Sequence, residues 1–252
     1  MSSSMLGGNA RSPIQPDEAV RPSIARRLLD TIYPPRCTGC RRRGAWLCAR
    51  CLTAIEKLPR PFCVRCHASF DGSGADHRCG VGANAALVVT AGGVFGGPLR
   101  PAIHALKYEG RHAVASALVT LVAPHLQGLL QDGDLLTPIP LHPSRERQRG
   151  YNQSLVAARE LARLLPLGLA PDALRRIRRT ATQMELPAAR RSANVRDAFS
   201  ARPDLVTGRR VWLLDDVVTT GSTMQEAART LREAGALEVR GIALAAAVRG
   251  AP

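Results

Sequence analysis

Apolar and polar positions alternate in two different ways along this chain of 252 residues. From Ala85 onward, short continuous apolar runs are separated by segments with helical spacing, which predicts an α/β domain. Leu87 to Val94, Leu135 to Leu141, Val211 to Leu214 and Val239 to Val248 read as strands. Pro138 and Pro140 argue against a central position for the second of these, because proline cannot donate to a ladder. Pro98 to Leu106 reads as a helix opened by proline in its first turn, and a longer apolar helix follows through about Leu130. Ser154 to Leu165 follows the N-cap candidate Asn152, and Gln225 to Glu233 is closed by Gly235 as a C′ residue. Upstream, Ile24, Leu28 and Leu29 share helical spacing in Ser23 to Ile32, a short docking helix ended by Pro34 and Pro35. Met1 to Pro22 is rich in Ser, Gly and Pro without a period, so disorder is expected there. The resulting division is a tail over 1–22, a Cys-rich module with its docking helix over 23–84, and an α/β domain over 85–252.

The strand Val211 to Leu214 delivers two adjacent carboxylates, Asp215 and Asp216, into a loop of small hydroxylic residues ahead of a helix. Phosphates bind at such junctions, because the first helical N–H groups lack intrahelical partners and the macrodipole is positive there. Gly221 removes a Cβ from the approach, and Thr219, Thr220, Ser222 and Thr223 add hydroxyl donors. Like charges repel, so the two aspartates must face something other than that phosphate: sugar hydroxyls, Mg²⁺ or both. An acidic turn capped by Ser or Thr would explain the helix start but not two carboxylates at the end of a buried strand. No Gly-x-x-x-x-Gly-Lys-Ser/Thr follows a strand, and no Gly-x-Gly-x-x-Gly opens a helix.

The seven cysteines carry a second chemistry. Cys37-x-x-Cys40 and Cys48-x-x-Cys51 supply four thiolates in two hairpins, enough for one closed, structural Zn²⁺ site. A redox pair would need only one such hairpin. Cys63-x-x-Cys66 begins a second set with Cys79, but Gly82 stands where its partner is expected, so either a second zinc takes His67 or His77 as its fourth ligand or the site has decayed.

The formal net charge is +15 and the pI about 10.9. Lys57 and Lys107 are the only lysines, so arginine supplies almost all the positive charge. Arginine's planar fork pairs with phosphate and makes anionic partners plausible, although Ala, Arg, Gly and Pro together also fit a GC-rich genome. Charge alone therefore does not establish DNA binding. Lys107 and Arg111 fit either ordinary helix-end cations or, because they flank a glycine turn, a pyrophosphate contact. Arg145, Arg147 and Arg149 lie in an arginine-dense loop suited to a polyanion, and Arg175 to Arg179, Gln183 and Arg190 to Asn194 read as a flap over a site. No apolar run is long enough to span a membrane. The N-terminus lacks a basic region followed by an apolar core, so a cytoplasmic home is expected.

The Asp-Asp and Thr-Thr-Gly-Ser-Thr combination closely resembles the signature of type I phosphoribosyltransferases. With the Cys-x-x-Cys pairs, Leu106-Lys107-Tyr108, Pro138-Ile139-Pro140-Leu141, Arg149-Gly150-Tyr151-Asn152-Gln153, and Gln183 with Arg191 and Asn194, the chain resembles the ComF family. Those proteins are linked to competence and DNA uptake, and they join a zinc knuckle to a phosphoribosyltransferase-like domain. The resemblance implies a type I phosphoribosyltransferase-like fold, with a mainly parallel sheet flanked by helices behind a small zinc-binding module. It also implies that Asp215 and Asp216 hold the ribose of phosphoribosyl pyrophosphate (PRPP), that Thr219, Thr220, Gly221, Ser222 and Thr223 hold its 5′-phosphate, and that Mg²⁺ accompanies the pyrophosphate. Lys107 and Arg149 are the candidates for closing over it. Two functions follow: a PRPP-binding enzyme that transfers a phosphoribosyl group, or a non-catalytic accessory of DNA uptake that binds single-stranded DNA and works with DNA-uptake proteins.

Overall fold

The computed structural model describes residues 34–58, 60–70, 79, 87–179 and 195–247. The expected tail and the docking helix Ser23 to Ile32 lie outside them, as do Gln183 and Arg190 to Asn194. In chain order, α1 is Ala49–Thr53, β1 Phe62–Cys63, β2 Val88–Ala91, α2 Leu99–Tyr108, α3 Val114–Leu126 and β3 Leu135–Pro138. Next come α4 Pro143–Arg149, α5 Gln153–Leu164, β4 Gly168–Leu169, β5 Leu174–Arg176 and β6 Phe199–Ala201. The last elements are α6 Pro203–Val206, β7 Arg210–Val218, α7 Ser222–Glu233 and β8 Glu238–Ala246. A six-stranded sheet has the order β1-β2-β8-β7-β3-β4, and β5 pairs with β6 beside it. All neighbours in the large sheet run parallel except β1 and β2.

Strand β7 sends alternate side chains to opposite faces. Trp212 and Leu214 pack with α2, α3 and α5 through Leu106, Leu118 and Leu161. Val211 and Leu213 pack with α7 and β6 through Ala228, Leu231 and Phe199. With both faces covered, the strand is an uninterrupted apolar run. Buried Trp212 donates from Nε1 to Asp134 Oδ2 at 2.7 Å, and the Arg240 guanidinium lies 5.4 Å from its ring centroid. These contacts anchor the end of β7 opposite the two aspartates.

Two expectations are corrected here. First, β3 is an interior strand despite its prolines, flanked by β7 and β4. It tolerates them because β4 pairs only with Leu135 and Leu136; Pro138 faces Leu214 of β7 alone, and Pro140 lies past the strand. Second, β7 continues through Val218, so Asp215 and Asp216 belong to the strand and not to the loop. The parallel ladder with β8 extends that far, matching Asp215 with Ala243 and Val217 with Ala245.

From β7 the chain crosses through α7 to β8 on one side, and from β3 it crosses through α4 and α5 to β4 on the other. The strand order therefore reverses between β3 and β7, and ligands of open α/β sheets bind in the crevice beyond the carboxyl ends at such a point. Among the described residues, no helix is long and apolar enough to cross a membrane.

Candidate functional site at the carboxyl ends of β3 and β7

Helix α2 buries Leu99, Ala102, Ile103 and Leu106, an i, i+3, i+4, i+7 stripe, and so projects Lys107 from its last turn toward β7. Lys107 Nζ lies 2.9 Å from Asp216 Oδ1. Burial acts to lower the lysine's pKa, but the Asp216 charge outweighs it and holds the ammonium above its ordinary value. Asp216 is buried, and its Oδ2 has no hydrogen-bond partner. Such an oxygen costs on the order of 1–3 kcal/mol or more unless a ligand satisfies it.

Asp215 is half-buried. Its Oδ1 accepts from Ser154 Oγ at 3.1 Å and from the Asp216 amide at 2.8 Å. Burial first, and the neighbouring Asp216 charge second, push its carboxyl up to about 7 against the pull of Lys107 and these hydrogen bonds. An unfolded Asp215 ionises at its ordinary 3.8. Between these values the native state holds the extra proton, so this group's contribution to stability is lost as pH rises from about 4 to about 7. Asp215→Asn keeps the acceptor for Ser154 and removes the charge. In thermal unfolding the variant should melt at least about 3 °C above wild type at pH 8, and the gain should vanish toward pH 4.

Beyond β7, Gly221 is the N-cap of α7 at φ 69, a left-handed conformation that other residues rarely adopt. Helix α7 is held by the buried Met224, Ala227, Ala228 and Leu231. Its first turn borders a small recess of about 30 Å³ lined by Asp215, Val217, Val218, Thr219, Gly221, Ser222, Thr223 and Met224. Thr220 Oγ1 and Ser222 Oγ share a hydrogen bond of 2.9 Å. Of the residues singled out in the sequence, Asp215, Thr219 and Gly221 to Thr223 thus line one recess, Thr220 bonds to Ser222 there, and Asp216, the next residue on β7, pairs with Lys107.

Arg149 lies in the adjoining cleft, about 430 Å³, lined by Lys107, Tyr108, Gly110, Arg145, Gln148, Arg149 and Tyr151. Its guanidinium sits 5.0 Å from the Tyr108 ring centroid and donates to Gln153 Oε1. Tyr151 donates to the Leu106 carbonyl and meets the His112 ring edge-on at 4.1 Å. The arginine-dense segment is not a loop, as expected, but the helix α4. His142 caps it by accepting from the Ser144 amide, Pro143 occupies its first position, and Gly150 at φ 86 ends it; both ends carried readable signals. Arg111, expected at a pyrophosphate, pairs with Glu109 at 3.1 Å and stacks over Trp46 at 5.7 Å. Arg175 and Arg176 pair in β5 with β6.

Sequence reasoning missed Ser154 as a partner of Asp215. The available signal was a Ser on the first turn behind Asn152, a position normally solvated yet here fully buried. Asn152 itself is the N-cap expected: Oδ1 accepts from the Ser154 amide at 2.9 Å, and Nδ2 donates to the Ile139 carbonyl at 3.1 Å. That second bond ties the start of α5 to the end of β3.

The cysteines form two groups. Cys37, Cys40, Cys48 and Cys51 place their sulfurs within 4.8 Å of one another, as do Cys63, Cys66 and Cys79. Zn–S bonds of about 2.3 Å in a tetrahedron imply sulfur separations of about 3.8 Å, so the first group fits zinc as it stands. The thiol chemistry agrees. Burial acts against the Cys37 thiolate, yet backbone N–H groups of Cys40, Cys48 and Gly39 hold it down to about 6. Cys51 is pushed up to about 12 by burial and by the surrounding sulfurs. A divalent cation would supply the charge that lets all four ionise. His67 is not part of the second group; its ring stacks on Phe62 at 6.4 Å, and His77 falls outside the described residues.

Residues 152–251 match the phosphoribosyl transferase domain, and residues 28–81 match the double zinc ribbon domain. The chain thus carries a phosphoribosyl transferase domain behind a double zinc ribbon. It is a homologue of proteins named for DNA utilization and competence. It is 41% identical over 150 residues to the DNA utilization protein YhgH of Escherichia coli, covering 57% of this chain and 65% of that protein. It is 37% identical over 109 residues to Competence protein F of Haemophilus influenzae, covering 42% of this chain and 48% of that one. A solved structure, the allosteric regulatory enzyme of purine biosynthesis, overlaps 56% of this chain and 30% of its own at 26% identity and a TM-score of 0.39, a partial likeness that adds nothing to the assignment.

Proposed function

We propose that the crevice binds PRPP, or another ribose bearing a 5′-phosphate. The observation that carries this reading is Asp216: a buried carboxylate with one oxygen on Lys107 and the other without a partner, beside a helix N-terminus opened by a left-handed glycine. A ribose hydroxyl donates what that second oxygen lacks. The recess at Thr219 to Thr223 suits the 5′-phosphate, since its amides and hydroxyls are donors. Lys107 and Arg149 suit the pyrophosphate on the other side. Mg²⁺ bound with the pyrophosphate would neutralise the leaving group's charge. Given a nitrogen nucleophile, transfer would break the C1–O bond and release pyrophosphate, with Asp215 and Asp216 stabilising the positive charge that grows on the ribose ring. A calorimetric titration tests the reading: PRPP should bind only with Mg²⁺ present. Heat absent under both conditions removes it.

A second reading rests on a different observation. The cleft beside Lys107 is lined by three cations, two tyrosines and no carboxylate, and Tyr108 is 55% exposed beneath Arg149. Cations that follow a backbone and an aromatic face that stacks bases are what single-stranded nucleic acid requires. The DNA utilization and competence names of the relatives agree with a DNA-related role, and on this reading the protein would be a cytoplasmic accessory acting with DNA-uptake proteins. Fluorescence anisotropy with a single-stranded oligonucleotide should give a steep negative salt dependence. Replacing Arg145, Arg147 and Arg149 by Ala should reduce the magnitude of the log–log slope by about 2. A slope unchanged by the triple substitution would assign the charge elsewhere.

A further inference from the structure

Among the described residues, the double zinc ribbon meets the loop before α7 at Val64. Val64 sits between Cys63 and Cys66 and is 2% exposed. A Cβ built on Gly221 would lie 2.6 Å from Val64 Cβ and 2.9 Å from its Cγ2. The valine therefore lies directly on the bare Cα of the glycine that caps α7. The contact is held by backbone on both sides. The Val64 amide donates to the Leu87 carbonyl at 3.1 Å, the Leu87 amide donates to Gln225 Oε1 at 3.2 Å, and the Gln225 amide donates to the Gly221 carbonyl at 2.8 Å. That chain of bonds runs from the cysteine turn to the first turn of α7. The turn itself is folded around sulfur: the Arg65 amide points at Cys63 Sγ at 3.4 Å, and the His67 amide donates to the Cys63 carbonyl at 2.9 Å. Cys66 and Cys79 bring their sulfurs to the same point.

We propose that Val64 is a positioning residue for the phosphate loop, and that a metal held by Cys63, Cys66 and Cys79 sets the order of Thr219 to Thr223 and, through it, the affinity for a phosphate. The second clause rests on the ribose-phosphate reading above; the first does not. The physical reason is reach. Val64 belongs to a turn only four residues long, so fixing the sulfurs at either end fixes the side chain between them. Gly221, with positive φ and no side chain of its own, has Val64 as its packing partner. Without that wall the loop would sample other backbone conformations, and ordering it again would oppose ligand binding.

The test uses the full chain loaded with zinc, and it reads hydrogen exchange at amides 219–225 together with calorimetric affinity for ribose 5-phosphate. Val64→Ala should raise exchange at those amides about tenfold and weaken ribose 5-phosphate about tenfold. Cys66→Ser, with zinc retained at Cys37 to Cys51, should reproduce both changes. Val64→Thr keeps the branched shape while burying a hydroxyl, so it should lower the melting temperature yet keep exchange and affinity within about threefold of wild type. A purely structural role predicts instead that Thr and Ala change the loop in proportion to the stability each loses. Exchange at 219–225 that is unchanged in Val64→Ala or in Cys66→Ser overturns the proposal. If wild type binds no ribose 5-phosphate while the loop loosens in both variants, the positioning role stands and the ribose-phosphate reading falls.

Discussion

Asp215→Asn/Asp216→Asn is expected to weaken Mg²⁺-dependent PRPP binding by about 10² to 10⁴-fold in calorimetry, with the fold intact by circular dichroism. The magnitude follows from the bonds lost. Each carboxylate would accept a charge-assisted hydrogen bond from the ribose or from hydrated Mg²⁺, worth about 1.5–3 kcal/mol, and about 1.4 kcal/mol is tenfold in affinity. The fold should survive because Asn retains an acceptor for Ser154 Oγ and for the Asp216 amide at position 215. At position 216 the same change removes the partner of Lys107, whose side chain is 22% exposed. The freed ammonium keeps its charge beside the anionic ligand, so loss of affinity reports the carboxylates and not the lysine. Binding as tight as wild type would remove both aspartates from the site.

Removing metal from the first cysteine group should be the largest effect on stability. Cys37 and Cys51 are buried in the same core cluster as Leu99, Ala102 and Leu106 of α2, so the module and the helix that carries Lys107 share one core. Gly39 leaves no space for a side chain there: a Cβ would lie 2.9 Å from Cys51 Sγ and 3.1 Å from Pro98 at the start of α2. Structural zinc contributes on the order of 10–16 kcal/mol of apparent binding free energy in small fingers, only part of which is shared with the larger domain. A loss of about 4 kcal/mol would lower the melting temperature of a chain this size by about 8–16 °C. Chelation, or Cys51→Ser, followed by thermal unfolding and metal analysis, measures it. An unchanged melting temperature in metal-free protein would mean that the sulfurs hold no structural ion.

Much of this was legible without coordinates, and particular residues show why. Gly235 and Asn152 mark helix ends because capping is a local hydrogen-bond requirement. The apolar run Val211 to Leu214 declares a strand covered on both faces. The Cys37 to Cys51 spacing declares a tetrahedral site, because each hairpin presents two sulfurs together. For β3 the deciding fact is nonlocal. Proline near the end of β3 suggested an edge, but only the length of β4 shows that the ladder has already ended there. The charge from Arg145 to Arg149 suggests a loop, and Gly150 alone reads as a turn; with Pro143 at the first position, that same glycine instead closes a helix, for a local reason.

The linear order of residues thus determined the α/β alternation, the hydroxyl-rich loop behind β7 and the cysteine groups, all set by spacing within a few turns of chain. Only the tertiary structure decided that Lys107 meets Asp216, that Ser154 of α5 reaches Asp215, and that Val64 lies on Gly221. These pairs are far apart in sequence and are joined by strand order and helix packing, which depend on how whole faces bury one another and leave no period in the chain.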